Sequence, residues 1–496
     1  MTKPNPLPGT APEAVGIPSG AVERFLDRLA DKRLPLHSVL MLRRGRLAAE
    51  GYAPPFDRAR QHRMYSTSKS FVSAAIGILI GEGKLKLSDR IAAFFPDKAP
   101  ADLHPYVAEA TVRDLLLMAT PHRYGHCTYS DRSPDWADTY FQTPPTHRPG
   151  QIFSYDTTAT VMLCILIRRV AGVEFTDYLR PRLFAPAGMS ADIACIETPC
   201  GHEWGGSGVL CTPRDLALFA LVCLNGGRLN GAQLIPEAYI RAATSRQIDN
   251  TLTATEPEHR YGYGYQFWRT RHNGFACRGM GSQLAVCLPD QDFILVTTGD
   301  TQAIPSACSL IYDALWVHIL PHLQAGSRLP PDTAAHAGLE RRLARLAIPT
   351  VEGEPDSPLA AAVSGKTYAL DANAMGIKTL RFTFSNGEGA LDYANATGAH
   401  RLRFGFGRHV RQAFPETHYY GRRIGTPAGK GYDCLCSAAW TLPASLLVYT
   451  YAIDEYLGTL KMNFAFDGDT VTALMDKNAE WFFNEYIGFA SGTCNA

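Results

Sequence analysis

The sequence predicts an α+β protein: an antiparallel sheet flanked by helices with a helical subdomain, followed by a C-terminal all-β, barrel-like domain. Three observations carry this. Strand-like apolar runs stand near residue 40 and again near 285–299, on either side of a long helical stretch. Residues from about 90 to 250 repeat helical periodicity, punctuated by Gly and Pro. Beyond about residue 362 the pattern turns to alternating strands with Gly, Asp and Asn between them, as in an up-and-down barrel.

The elements follow in order. A helix opens at Ser19, with Val22, Phe25, Leu26 and Leu29 on one face. "HSVLMLRRG" and "GRLAAEGYA" read as a hairpin about Gly45. Ser66 leads into a helix that runs to about Gly81. "TVRDLLLMA", "TATVMLCILIRRVAG", "FTDYLRPRLF" and "PRDLALFALVCLNGG" are helical. "YGYGYQFW", "SQLAVCLP" and "DFILVTTG" are strands, and "SACSLIYDALWVHIL" is a closing helix. The expected boundaries are 1–325 for the first domain, 326–362 for a linker carrying one short helix, and 363–496 for the β domain. In the last, "KTLRFTFSNG", "ALDYANATG", "LLVYTYAID", "GTLKMNFAFDG", "TVTALMD" and "EWFFNEYIG" are the expected strands.

Composition excludes several classes. A 496-residue chain with 46% hydrophobic and 19% charged residues has ample core and is not disordered. A net charge of +1 argues against nucleic acid and anionic membranes as partners. The N-terminus has no apolar leader segment, and no run is long enough to span a bilayer. Twelve scattered cysteines, many in apolar runs, read as reduced and buried in a cytoplasmic protein. "HRYGHC" offers His122, His126 and Cys127, but no further ligand stands nearby, so no metal is expected. His318 and His322 are separated by Pro321 and read as surface. There is no nucleophile elbow, P-loop or dinucleotide fingerprint. The sequence carries no signal of oligomeric state.

Three stretches hold candidate chemistry. "YSTSKSF" places Ser66 and Lys69 three residues apart at a helix start, on one face. An apolar continuation would desolvate the lysine and favour the neutral amine, which can take a serine proton. The spacing alone equally fits a serine cap beside a solvated lysine. "RPGQIFSYDTTATVML" sets Tyr155 just before a helix, where its hydroxyl can relay protons or simply meet water. "FACRGMGSQLAVCLP" lies in the strand region. There Gly279 admits close backbone approach, and the N–H groups of Met280 and Ser66 would form an oxyanion hole.

These stretches, in this order, resemble the serine β-lactamase and penicillin-binding-protein superfamily, nearest its class C β-lactamase and esterase branch. "MYSTSKSF" is similar to the Ser-x-x-Lys motif, "FSYDTTA" to the Tyr-x-Asn region, and "ACRGMGSQLAVCLPDQDFILVTTG" to the Lys-Thr-Gly strand. "GEGKLKLSDRIAAFFPD", "TVRDLLLMAT" and "WGGSGVLCTPRDLALF" agree, so the likeness runs over about residues 12–320. It implies Ser66 as acylated nucleophile, Lys69 as general base, Tyr155 sharing the proton traffic, and Cys277-Arg278-Gly279 as the substrate-holding strand. It implies no cofactor and no metal. Tyr129, Asp131 and Trp136 fall where the family's loop borders the pocket. Thr157 stands in place of Asn, and Cys277 in place of Lys or His; Arg278 is the candidate to supply the missing charge. These departures point away from β-lactams and towards small ester, amide or peptide-like substrates. The alternatives are a β-lactamase or DD-peptidase, and a non-hydrolytic penicillin-recognising binding protein.

Overall fold

The structure, a computed structural model, describes residues 7–123, 133–254, 256–324, 328–417 and 419–494. The chain divides into two units, Met1–Ile348 and Pro349–Ala496.

The first unit is built on a six-stranded antiparallel sheet. Its strands are β1 (Leu36–Arg43), β2 (Arg46–Tyr52), β3 (Trp268–Arg269), β4 (Phe275–Gly279), β5 (Gln283–Leu288) and β6 (Phe293–Gly299), in the order β2-β1-β6-β5-β4-β3. Sequence-distant β1 and β6 are thus neighbours, with Leu40 opposite Val296. β1, β5 and β6 are buried along their whole length, which explains their near-continuous apolar runs. On one face lie α1 (Ser19–Asp31) and the later helix α6 (Ala307–Ala314); Phe25, Leu26, Val39, Met41, Val286, Leu295 and Ile311 share that core. Towards the other side run α2 (Ser68–Gly81), α3 (Trp136–Gln142), α4 (Thr157–Ala171) and α5 (Pro213–Leu224). α2 is buried around its circumference, as a helix packed on all sides must be. "YGYGYQFW" is not the continuous strand its aromatics suggest: only Trp268 and Arg269 pair as strand.

The segment read as a linker carries α7 (Thr333–Leu343), whose Leu339 and Leu343 are buried in the same core as α1. Its helix therefore belongs to the first unit, and the division falls at 348/349.

The second unit contains β7 (Thr367–Leu370), β8 (Thr379–Ser385), β9 (Glu388–Asn395), β10 (Gly398–Phe406), β11 (Val410–Ala413), β12 (Asp433–Leu442), β13 (Ser445–Ile453), β14 (Leu457–Asp467), β15 (Thr470–Asn478) and β16 (Gly488–Cys494). Nine of these close into a barrel in the order β10-β9-β8-β7-β16-β15-β14-β13-β12. Alternating directions cannot close a ring with an odd number of strands, so one neighbouring pair must be parallel. That pair is β10 and β12, joined at Gly405–Ser437 and Phe406–Ala438. The rest of this edge of β12, from Asp433 to Cys436, is occupied by β11. "EWFFNEYIG" is not a strand. Its Phe482, Phe483 and Tyr486 are buried and meet Phe414, Tyr419 and Tyr432 edge to face. Burial of aromatics, not pairing, accounts for its composition.

Among the described residues no helix is long and apolar enough to cross a membrane. Of the described cysteines only Cys200 is exposed.

Candidate active site

Ser66 sits in a single 3-10 turn, Tyr65–Thr67, and the α-helix begins two residues later than its polar start suggests. Local ties explain the delay. Tyr65 has φ of 46°, a left-handed conformation costly for a non-glycine residue. The Arg63 guanidinium lies 4.1 Å from its ring centre, and the same guanidinium stacks on Trp204. Thr67 Oγ1 donates to the Gln283 carbonyl at 2.7 Å, fastening the turn to β5. The remaining serines of the stretch are structural. Ser68 Oγ accepts from Val209 N–H, and Ser70 Oγ donates to the Gln266 carbonyl.

Lys69 Nζ reaches back along the helix face to Ser66 Oγ at 2.9 Å. It also donates to the Gly206 carbonyl at 2.6 Å and is 1% exposed. A buried polar group needs such partners. Gly206 closes over the site: a Cβ there would stand 2.8 Å from Thr157 Cγ2.

Tyr155 stands on the irregular run before α4. That helix is capped by buried Asp156, which accepts from Thr158 N–H and from Thr120 Oγ1, each at 2.9 Å. "QIFSY" forms no strand. The Tyr155 ring lies 5.1 Å from Lys69 Nζ and is stacked on Trp268 at 5.4 Å.

β4 supplies the opposite wall. A Cβ at Gly279 would stand 2.2 Å from the Met64 carbonyl oxygen and 3.2 Å from Thr67 N, so only glycine lets this strand edge abut the Ser66 turn. Met280 follows directly and is 38% exposed. Successive strand residues face opposite ways. Arg278 lines the cavity, its guanidinium 5.5 Å from the Trp268 ring centre and 3.9 Å from Glu256. Cys277 is buried on the other face, where desolvation pushes its thiol up to about 12.

These groups converge on a cavity of about 880 Å³. Ser66, Tyr155, Arg278, Gly279 and Met280 line it; Thr157 and Cys277 do not. Its further walls are Phe153, Trp268, Arg123, His147 and His259, with Ile152 and Leu252 exposed at 60% and 95%. Burial holds the His259 imidazole down to about 3, with Arg278 acting in the same direction, so it is neutral at pH 7. No carboxylate lines the cavity among the described residues. Sequence reasoning missed Gly206, Trp268 and His259, which act across more than a hundred residues. Trp136 is buried against Trp204 and does not border the cavity. Tyr129, Asp131, His126 and Cys127 lie outside the described residues; His122 is buried, and its Nε2–H donates to the Thr143 carbonyl at 3.1 Å.

Comparison with known proteins gives the family and the fold. A family model described as beta-lactamase matches residues 22–303. A 6-aminohexanoate-dimer hydrolase of Paenarthrobacter ureafaciens is 26% identical over 262 residues, 49% of this chain; the chain spans 66% of that protein, just under two thirds of its length. Among solved structures, a putative 6-aminohexanoate-dimer hydrolase from Bacillus anthracis superposes with a TM-score of 0.51 at 20% identity, over 63% of this chain and 86% of that one. EstCE1, a hydrolase with promiscuous acyltransferase activity, superposes with a TM-score of 0.50 at 16% identity, over 60% and 99%. At these identities the solved structures bear on the fold alone.

Proposed function

We propose that this chain, which belongs to the beta-lactamase family, is a serine hydrolase that cleaves a small ester or amide through an acyl-enzyme on Ser66. The observation that carries the reading is the 2.9 Å contact between Lys69 Nζ and Ser66 Oγ in a buried setting.

In this mechanism Lys69 reacts as the neutral amine. One of its hydrogens stays on the Gly206 carbonyl, which leaves the lone pair for Ser66. Oγ attacks the carbonyl carbon as its proton passes to Nζ. The carbonyl π electrons move to oxygen, where the N–H groups of Ser66 and Met280 receive the negative charge. Collapse re-forms the carbonyl and breaks the bond to the alkoxide or amine, which takes the proton back from Lys69, with Tyr155 beside both groups. Water then attacks the acyl carbon as its proton passes to the same pair; collapse breaks the bond to Ser66 Oγ, which takes that proton back, and the acid is freed. Trp268 fixes the tyrosine ring by stacking.

The lining supports a substrate with an apolar portion and no positive charge. Aromatic and alkyl groups meet two arginines and neutral His259 there, without a lining carboxylate among the described residues. The amide-hydrolase relative supports an amide as well as an ester. Thr157 and Cys277 stand where the family carries Asn and Lys or His, and neither lines the cavity, so nitrocefin is expected to be a poor substrate. Cysteine burial supports a cytoplasmic setting.

Ser66→Ala is expected to lower turnover of p-nitrophenyl butyrate by at least about 10⁴-fold and to abolish labelling by a fluorophosphonate probe. Undiminished turnover in that variant would refute the assignment. Turnover of nitrocefin faster than of esters would refute the substrate class.

A further inference from the structure

Beyond the serine chemistry, we propose that Asp135, Cys200 and His202 form a binding site for a borderline divalent cation of the zinc type. One carboxylate oxygen, the thiol sulfur and one imidazole nitrogen all lie within 4.8 Å of one another. A tetrahedral zinc site with these donors separates them by about 3.3–3.6 Å, so binding needs a contraction of about 1 Å. The three donor types, carboxylate, thiolate and imidazole, are those that such a cation selects.

The residues come from two places. Asp135 caps α3, accepting from Ala137 N–H at 2.9 Å. Cys200 and His202 sit two apart in the turn closed by the Glu197–Glu203 bridge. Cys200 is the one exposed cysteine among those described, so its sulfur is accessible to an entering ion. Around them stand the groups that orient ligands. Lys98 contacts Asp135 and Asp138, each at 2.9 Å. Arg168 Nη1 lies 2.7 Å from His202 Nδ1 and 2.9 Å from Glu174 Oε1. Glu174 Oε1 is itself 4.0 Å from His202 Nδ1. Glu174 thus stands within a small movement of the carboxylate–histidine hydrogen bond that fixes a ligating ring. In the structure Nδ1 accepts from Arg168; on binding, the ring hydrogen shifts from Nε2 to Nδ1, which donates a hydrogen bond to Glu174 in place of accepting from Arg168, and Nε2 presents its lone pair to the metal. The thiol releases its proton to solvent. Carboxylates outnumber cations here: Asp135, Asp138 and Glu174 face Lys98 and Arg168, so an added dication is not opposed by local charge. Three protein donors leave one position for water. The site is separate from the Ser66 cavity, whose lining shares none of its residues.

The test uses the full chain stripped with a chelator and titrated with Co²⁺ as a spectroscopic probe. One equivalent should produce a thiolate-to-cobalt charge-transfer band, removed by Zn²⁺, absent in Cys200→Ser and weakened at least about tenfold in affinity in His202→Gln. Ester turnover in Cys200→Ser should equal wild type, which keeps this result distinct from failure of the serine assignment. In the unaltered protein, Zn²⁺ should slow alkylation of Cys200 by iodoacetamide at least about tenfold, read by peptide mass spectrometry. A missing charge-transfer band, a band that persists in Cys200→Ser, or equal alkylation rates with and without Zn²⁺ would each overturn the proposal.

Discussion

The two walls of the Ser66 cavity are built to different standards. The helix side is tied by short side-chain contacts: Lys69 is buried between Ser66 and Gly206, and Thr67 is pinned to β5. The strand side keeps its backbone but not its side chains. Gly279 still lets β4 press against the nucleophile turn, while Cys277 faces the interior and Arg278 alone reaches the cavity. In the proposed mechanism the difference separates bond-breaking from recognition. The first would depend on the contacts of Lys69 with Ser66 and Gly206, at 2.9 and 2.6 Å. The second depends on which of two adjacent strand residues faces the pocket.

Four variants, after Ser66→Ala itself, probe that division. Lys69→Ala, on the helix side, is expected to reduce kcat for p-nitrophenyl butyrate by about 10³-fold with little change in KM. A loss under tenfold would move the base elsewhere. Gly279→Val forces the strand edge off the Met64 carbonyl and should cost about 10²-fold in kcat/KM, since misplacement by an ångström acts on that scale. Arg278→Gln should raise KM about tenfold for esters with a carboxylate on the acyl chain, and leave neutral esters within about twofold. Equal effects on both series would show that the strand side reads no charge.

The smallest effect concerns Glu203, beside the loop that carries Gly206. Thr176 donates to its carboxylate through both N–H and hydroxyl. Burial raises its carboxyl to about 7, and Glu174 and Asp177 act in the same direction. An unfolded glutamate titrates near about 4.3. Between those values the folded chain holds a proton that the unfolded chain has lost, so stability falls as pH rises through the window. Glu203→Gln removes that slope. Its melting temperature should gain about 2–4 °C on wild type between pH 5 and pH 8, measured by calorimetry. Parallel curves for the two proteins would contradict the shift.

The sequence made the helix side readable because its relation is local: three residues, here across a 3-10 turn into the first α-turn, put Ser66 and Lys69 on one face wherever the helix goes. Gly206 and Trp268 were not readable. Their contacts with Lys69 and Tyr155 span 137 and 113 residues and depend on how the helical subdomain meets the sheet. On β4, alternation requires that Cys277 and Arg278 point opposite ways, but no pattern in five residues tells which way is in. The sheet and its helices follow from apolar periodicity. The limits of the second unit did not, because α7 resembles a polar linker everywhere except at Leu339 and Leu343. "EWFFNEYIG" shows the converse error, where β-favouring aromatics serve as filling rather than as a strand.

The parallel seam of the nine-stranded barrel has a kinetic consequence. Eight junctions of the ring join strands as antiparallel ladders, most of them between neighbours in sequence; the seam offers only two residue pairs, about thirty positions apart. It returns little enthalpy for the loop it closes. It is therefore the last junction to zip and the first to breathe, and whichever of the Ser437 and Ala438 amides faces β10 rather than β13 should exchange faster than those of the β13–β14 ladder by orders of magnitude.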